Sequence, residues 1–271
     1  MNADPIPKPE HRGRIRKLFG KELFILKRRL HWLTSSEKFA HTIQSPQLPV
    51  SIFTHQSFLL RPLRDVDMLL QHNKVTNLRL AIAPIDGIVI KPGETFSLWK
   101  LVGRPTAAKG YLEGLTLENG KIAKGIGGGL CQLGNLLYWM ILHSQLHISE
   151  RWRHGYDVFP DINRTIPFGC GATLSYNYVD LKITNTTPFL FQIRLWLDAE
   201  YLHGELLCEQ QNPYSYTIFE TDHIIKQQWW GGYTRHNKIW KQRVHKDTGE
   251  QTEEMVTQNH AIMMYNPLLE K

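Results

Sequence analysis

At 271 residues, with 42% hydrophobic and 21% charged side chains, the chain is long enough to bury a sizeable core, and its composition is neither disordered nor membrane-spanning. The formal charge is +7, but residues 1–40 hold ten basic residues against four acidic ones, a local net of +6, so the remainder is close to neutral. That distribution excludes a broad nucleic-acid-binding face, and three cysteines are too few and too odd for a disulfide framework; they fit a reducing compartment.

Residues 2–12 carry three prolines and read as a lead-in. From Ile15 to Leu33, Ile15, Phe19, Leu23, Leu26, Leu30 and Leu33 recur at helical spacing, with Arg14, Lys17, Lys21 and Arg28 around the rest of the wheel. This is a basic amphipathic helix, which either docks on its own domain or, through residues 13–33, makes peripheral contact with an anionic membrane. Leu23-Phe24-Ile25-Leu26 is shorter than the roughly 7–15 residues of a signal-peptide core. No run approaches the ~18 apolar residues of a spanning helix. The expected location is therefore cytoplasmic, at most peripheral at the inner membrane face.

Val50 to Phe53 reads as a strand or connector, Asp65 to Leu80 as a helix, and Ile88 to Ile90 as a strand between turns. Phe96 to Leu101 is expected to be extended, and a hairpin should turn at Glu118-Asn119-Gly120. Leu133, Leu136, Leu137, Met140 and Ile141 mark the clearest helix, running to about Leu146. Beyond it the pattern is β: 148–153, 172–178, 180–185, 189–197, 202–207, 216–220, 239–244 and 261–265, with a turn at Asp247-Thr248-Gly249. The expected fold class is α+β, a mostly antiparallel sheet packed around one central helix that carries Cys131 at its N-terminus. Residues 1–45 form the basic arm, 46–210 the core domain, and 211–271 a β-rich extension of the same domain.

Cys131 follows Gly127, Gly128 and Gly129 at the first turn of that helix. Free N–H groups at a helix N-terminus favour a thiolate and lower the thiol pKa, and the same groups can hold an oxyanion. Gln132 adds an amide donor beside the thiol. A thiol nucleophile needs a base and the base an orienting group, which makes His154 the best base and Asp157 its partner, with Asp180 second. Arg151, Arg153 and Arg164, with Asp161, surround His154 and either grip a substrate carboxylate or pair on the surface. Set against this, Cys131 is a small buried hydrophobe and the glycines only a turn. His143 and His147 stand four apart, but without a second cluster they are read as a solvated helix end; no metal or other cofactor is expected. No nucleotide-binding glycine motif occurs.

Several strings carry a resemblance: Pro92-Gly93-Glu94-Thr95-Phe96-Ser97, Gly110-Tyr111, Gly127-Gly128-Gly129-Leu130-Cys131-Gln132, Leu137-Tyr138 and Glu150-Arg151-Trp152-Arg153-His154. They continue in Pro167-Phe168-Gly169-Cys170-Gly171-Ala172-Thr173, Tyr176-Asn177-Tyr178, Asp180-Leu181 and Asn185. Over roughly residues 75–207 the chain resembles the VanW family. The resemblance implies a link to glycopeptide resistance and cell-wall peptide chemistry. Some relatives, exported and carrying additional domains, look like L,D-transpeptidases that use the cysteine of this motif. Carried over, Cys131 is the nucleophile and His154 the base, with Gly127, Gly128, Gly129 and Gln132 around the site. The chain departs from those relatives in having Gly171 where they carry an Asp before Ala-Thr, and in lacking an export signal and wall-binding repeats. Three readings follow: a cysteine-dependent acyl-transfer or peptide-hydrolysing enzyme on a D-amino-acid-containing peptide, a non-catalytic module that binds such a wall-precursor ligand, or a peripheral-membrane scaffold. The oligomeric state is left open.

Overall fold

The computed structural model describes residues 13–60, 67–118, 120–160 and 165–268. Four α-helices are present among them: α1 (Arg14–Thr34), α2 (Met68–Ile82), α3 (Leu98–Val102) and α4 (Cys131–Leu142). The strands are β1 (Lys38–Phe39), β2 (Thr42–Ile43), β3 (Val50–Phe58), β4 (Ile88–Ile90), β5 (Glu94–Ser97), β6 (Glu113–Glu118) and β7 (Lys121–Ile126), then β8 (His147–Glu150) and β9 (Tyr156–Asp157). The C-terminal half adds β10 (Lys182–Thr184), β11 (Phe191–Leu197), β12 (Tyr201–Cys208), β13 (Tyr214–Gln227), β14 (Tyr233–His245) and β15 (Gln251–Met263).

The strands pair as a five-stranded antiparallel sheet β2-β4-β11-β12-β3, two four-stranded sheets β1-β5-β10-β8 and β13-β14-β15-β9, and the hairpin β6-β7. Only β1 with β5 and β9 with β15 run parallel. The fold is α+β with mostly antiparallel pairing; to the three helices expected near 15–33, 65–80 and 133–146 the described residues add the short α3. α4 is apolar on most sides because it is enclosed: Leu133, Leu136, Leu137, Tyr138, Met140 and Ile141 are all buried. Each such side chain contributes about 1.5–3 kcal/mol. Ile239 of β14 joins the same apolar cluster as those residues.

Three expectations fail for identifiable reasons. α4 stops at Leu142, four residues early, because the N–H groups of His143 and Ser144 close back on Met140 and Ile141. Leu98 to Val102 is helical, not extended, because Ser97 Oγ accepts from Lys100 N at 3.3 Å and caps a short turn. Residues 172–178 join no sheet. The N–H groups of Ala172, Thr173 and Leu174 go instead to Asn135 Oδ1 at 2.8 Å, the Trp152 carbonyl at 2.7 Å and Cys131 Sγ at 3.4 Å. The segment then closes on itself through a Ser175–Val179 bridge.

α1 lies on the domain through one face. Ile25 is buried, Arg28 meets Glu150 of β8, and the Phe24 ring stands edge-on to Tyr178 at 5.1 Å. The stripe Phe19, Leu23, Leu26, Leu30 and Leu33 is exposed, Phe19 at 71% and Leu33 at 82%. Arg164 and Asp161, and the Asn119 tip of the β6-β7 hairpin, lie outside the described residues. No helix among the described residues is long and apolar enough to cross a membrane.

Candidate active site at the start of α4

The glycine run is a packing device. Gly128 lies against Gly114 of β6 so closely that a Cβ on it would stand 2.2 Å from the Gly114 carbonyl carbon. Gly129 has φ +93° and rests on the stem of Lys74 from α2, where a Cβ would meet Cγ at 2.3 Å. Buried Asn77 of α2 ties the turn down, its Nδ2 donating to Gly128 O at 2.9 Å and to Leu112 O at 3.0 Å. The N–H groups of Gly127 and Gly128 are spent on Leu112 O and Gly125 O, both at 3.0 Å.

Cys131 opens α4, with Leu130 as an N-cap that makes no side-chain bond. The residue is half-buried, but its sulfur is packed against the backbone of Leu174. The Leu174 N–H donates to Sγ at 3.4 Å, and the thiol points back to the Leu174 carbonyl at 3.9 Å. Burial pushes the thiol pKa up, and the Leu174 N–H offsets only part of that. Burial of the sulfur thus acts against the lowering expected from the helix N-terminus. Gln132, next in sequence, turns its amide away to β3. Nε2 donates to Ser57 Oγ at 2.6 Å and to Phe58 O at 2.8 Å.

Arg151 organises the loop that covers the thiol. Its Nε donates to Gly171 O at 2.8 Å, its Nη2 donates to Gly169 O, and the guanidinium lies 4.5 Å over the Tyr138 ring. Burial lowers its pKa from the usual guanidinium range. Gly171 sits beside Asn135, one helical turn from Cys131; a Cβ there would be 2.7 Å from Asn135 Oδ1. His154 is half-buried, its pKa lowered by burial and then by Arg153, and its ring takes up no hydrogen bond with a described residue. Asp157 is bound elsewhere: Oδ2 accepts from Tyr265 at 3.0 Å and from Arg235 at 3.3 Å. Arg153 reaches His260 O at 2.5 Å and covers the Phe168 ring at 4.9 Å. Asp180 is fully buried, held by Ser97 Oγ at 2.6 Å and Trp99 N at 3.1 Å, and burial pushes its pKa up to about 6.

The structure therefore gathers Cys131, Asn135, Arg151 and residues 169–174 into one cluster. It gives Gln132, expected beside the thiol, and Asp157, expected to orient His154, other partners. A cavity of about 470 Å³ runs along α4 below this cluster, between Tyr138, Ile148, Ser149 and Arg151 on one side and Lys241, Glu254, Met255 and Val256 on the other. Lys241 and Glu254 are cross-strand partners on β14 and β15, with Nζ 3.9 Å from the carboxylate, and burial lowers the Lys241 pKa. Neither was singled out by sequence, since only the register of β14 on β15 brings them here. Asn135 had a visible signal, four residues after Cys131 on one helix face. His143 is stacked on Phe53 at 4.0 Å with Nδ1 donating to Trp139 O at 2.9 Å, while His147 is exposed at the start of β8. Among the described residues no group of three or more His, Cys, Asp or Glu is placed to hold a metal ion.

A family model described as VanW like protein matches residues 73–207, which contain Cys131, Asn135, Arg151, His154 and the 169–174 loop but not Lys241 or Glu254 of β14 and β15. The vancomycin B-type resistance protein VanW of Enterococcus faecalis is 37% identical over 213 residues, covering 78% of this chain and 77% of that protein. The uncharacterized protein YoaR of Bacillus subtilis is 32% identical over 112 residues, 40% of this chain and 34% of that protein. No solved structure matches. Cys131 with its glycine turn, Arg151 and the 169–174 loop lie inside the matched region, and the chain belongs to the VanW family.

Proposed function

We propose that this protein serves glycopeptide resistance by binding a wall-precursor peptide that contains D-amino acids, in the groove between α4, β8 and the β14-β15 hairpin. The observation that carries the reading is the composition of the 470 Å³ cavity. Such a peptide ends in a carboxylate, and Arg151 keeps Nη1 for it after Nε and Nη2 are spent on the loop. Lys241 adds a second cation and Glu254 an acceptor for a peptide amine or N–H, while Ile148, Met255 and Val256 suit small side-chain methyls. The name of the Enterococcus faecalis relative supplies the link to vancomycin resistance. Recognition is favoured over chemistry because burial raises the Cys131 thiol pKa, Gln132 is tied to β3, and Asp157 faces Arg235.

Calorimetric titration with an acetylated Lys-D-Ala-D-Ala peptide and its all-L diastereomer tests this. Saturable binding of the D,D peptide, at least about tenfold tighter than the L,L peptide, is expected, and Glu254→Gln or Arg151→Met weakens it. Equal affinity for the two diastereomers, or none for either, overturns it.

A second reading, cysteine-dependent acyl transfer, is favoured by one contact: the Leu174 N–H already points at Sγ, where it would stabilise a thiolate. Apo geometry is often looser than a substrate complex. Incubation with the same peptide followed by intact-mass measurement decides it, an acyl adduct lost in Cys131→Ser being the required outcome.

A further inference from the structure

α1 is held to the domain by one face and presents the opposite face uncovered. With about 100° between successive residues, Phe19, Leu23, Leu26, Leu30 and Leu33 fall within a band of roughly 80°. Arg28 and Ile25, which touch the domain, lie on the far side of the same wheel. The band is about 21 Å long at 1.5 Å per residue. Lys27 and Arg29, both exposed, border it on either side, Arg29 in hydrogen-bonding reach of Tyr176. Between Arg14 and Thr34 the helix holds seven Lys or Arg and one Glu, a net of +6.

Beside the helix lies a pocket of about 240 Å³ lined by Phe24, Lys27, Arg28, His31, Asn177 and Tyr178. Two of its basic groups are engaged, Arg28 with Glu150 and His31 with Glu37 at 3.5 Å. Among the described residues Lys27 faces the Phe24 ring, 5.8 Å from its centroid. Asn177, 1% exposed and at φ +35°, has neither Nδ2 nor Oδ1 hydrogen-bonded to a described residue. A buried amide without partners is costly, so an amide left open in a pocket wall is a feature a polar ligand completes.

We propose that α1 is an interfacial helix that lies on an anionic phospholipid bilayer, its leucine band in the acyl boundary and one headgroup in the pocket beside it. The phosphate sits by Lys27 and accepts from Asn177 Nδ2, and a headgroup hydroxyl donates to Asn177 Oδ1. A second copy of this chain, the other apolar partner, would set one +6 helix against another over only two heptads, whereas an anionic leaflet complements the charge. The held face explains why the helix remains on the domain while its other face enters the membrane.

Flotation of the full chain with phosphatidylglycerol or phosphatidylcholine vesicles tests this. Expected is recovery with phosphatidylglycerol only, weakened by salt. Leu26→Glu with Leu30→Glu abolishes it while the circular dichroism melt is unchanged, because both positions are exposed. Lys27→Gln weakens it about fivefold. Asn177→Gly, which keeps the positive φ, weakens binding to phosphatidylglycerol more than to phosphatidic acid, whose headgroup lacks the hydroxyls. Equal recovery with phosphatidylcholine, retention by the double Glu variant, or dimerisation by sedimentation that this variant abolishes would each overturn the proposal.

Discussion

Arg28 of α1 and Glu150 of β8, 122 positions apart, meet in a two-pronged ion pair with both contacts at 2.5 Å. Both side chains are mostly buried, at 16% and 18% exposure, and Glu150 Oε1 also accepts from the Asp180 N–H at 3.2 Å. The pair thus ties the N-terminal helix to the sheet that leads into the Arg151 and His154 segment.

Removing one member of the pair leaves the other charge half-buried without its partner, which costs more than removing both. Glu150→Ala is expected to lose about 2–3 kcal/mol in urea unfolding, and Arg28→Ala with Glu150→Ala less than the sum of the two single changes. Additive losses in the double-mutant cycle would show that the two side chains act independently.

Access and ionisation pull apart at Cys131. It is half-buried where Cys170 and Cys208 are buried, so a small alkylating reagent is expected to modify it first. The rate should rise with a midpoint above the ~8.5 of a free thiol, because burial holds the proton. Peptide-level mass spectrometry across pH 6–10 reads both, and a midpoint near neutrality would restore the nucleophile to first place.

Asp180 titrates at about 6 in the fold against 3.8 for an ordinary Asp. The folded state therefore holds the proton more tightly. The stability this contributes is fully present below about pH 4 and is lost as pH rises through about 6. Two pH units correspond to at most about 3 kcal/mol. Asp180→Asn is expected to flatten the fall in urea stability between pH 4 and pH 7 relative to the parent; an unchanged slope would mean that Asp180 is ionised throughout.

Gly128→Ala drives a methyl into the Gly114 backbone, 2.2 Å from its carbonyl carbon, and neither turn can yield cheaply. A loss of about 3 kcal/mol is expected. Gly114→Ala should cost a similar amount, since its Cβ would meet Gly128 O at 2.4 Å. Wild-type melting of either variant would show that the hairpin and the glycine turn separate freely.

Local pattern made several elements legible in the sequence. The leucine spacing of 133–141 marks α4, the alternation of 189–197 marks β11, and Asp247-Thr248-Gly249 is the turn between β14 and β15. Each depends on residues near in sequence, where periodicity and turn chemistry act directly. The amphipathic pattern of residues 15–33 likewise identified α1, but a wheel shows two faces without saying which one the domain takes. Arg28 and Ile25, and not the leucines, made that contact, and only the position of Glu150 decided it.

The same holds at the site. Sequence placed Cys131 after three glycines and before a helix. It could not show that residues 172–174 would leave their sheet to bond Asn135, Trp152 and Cys131, or that burial would raise the thiol pKa. Nor could it bring Lys241 and Glu254 beside Arg151, because a cross-strand register far along the chain from that arginine sets their place. Elements follow from local chemistry, whereas desolvation and charge pairing depend on contacts between distant parts of the chain, which exist only once it has folded.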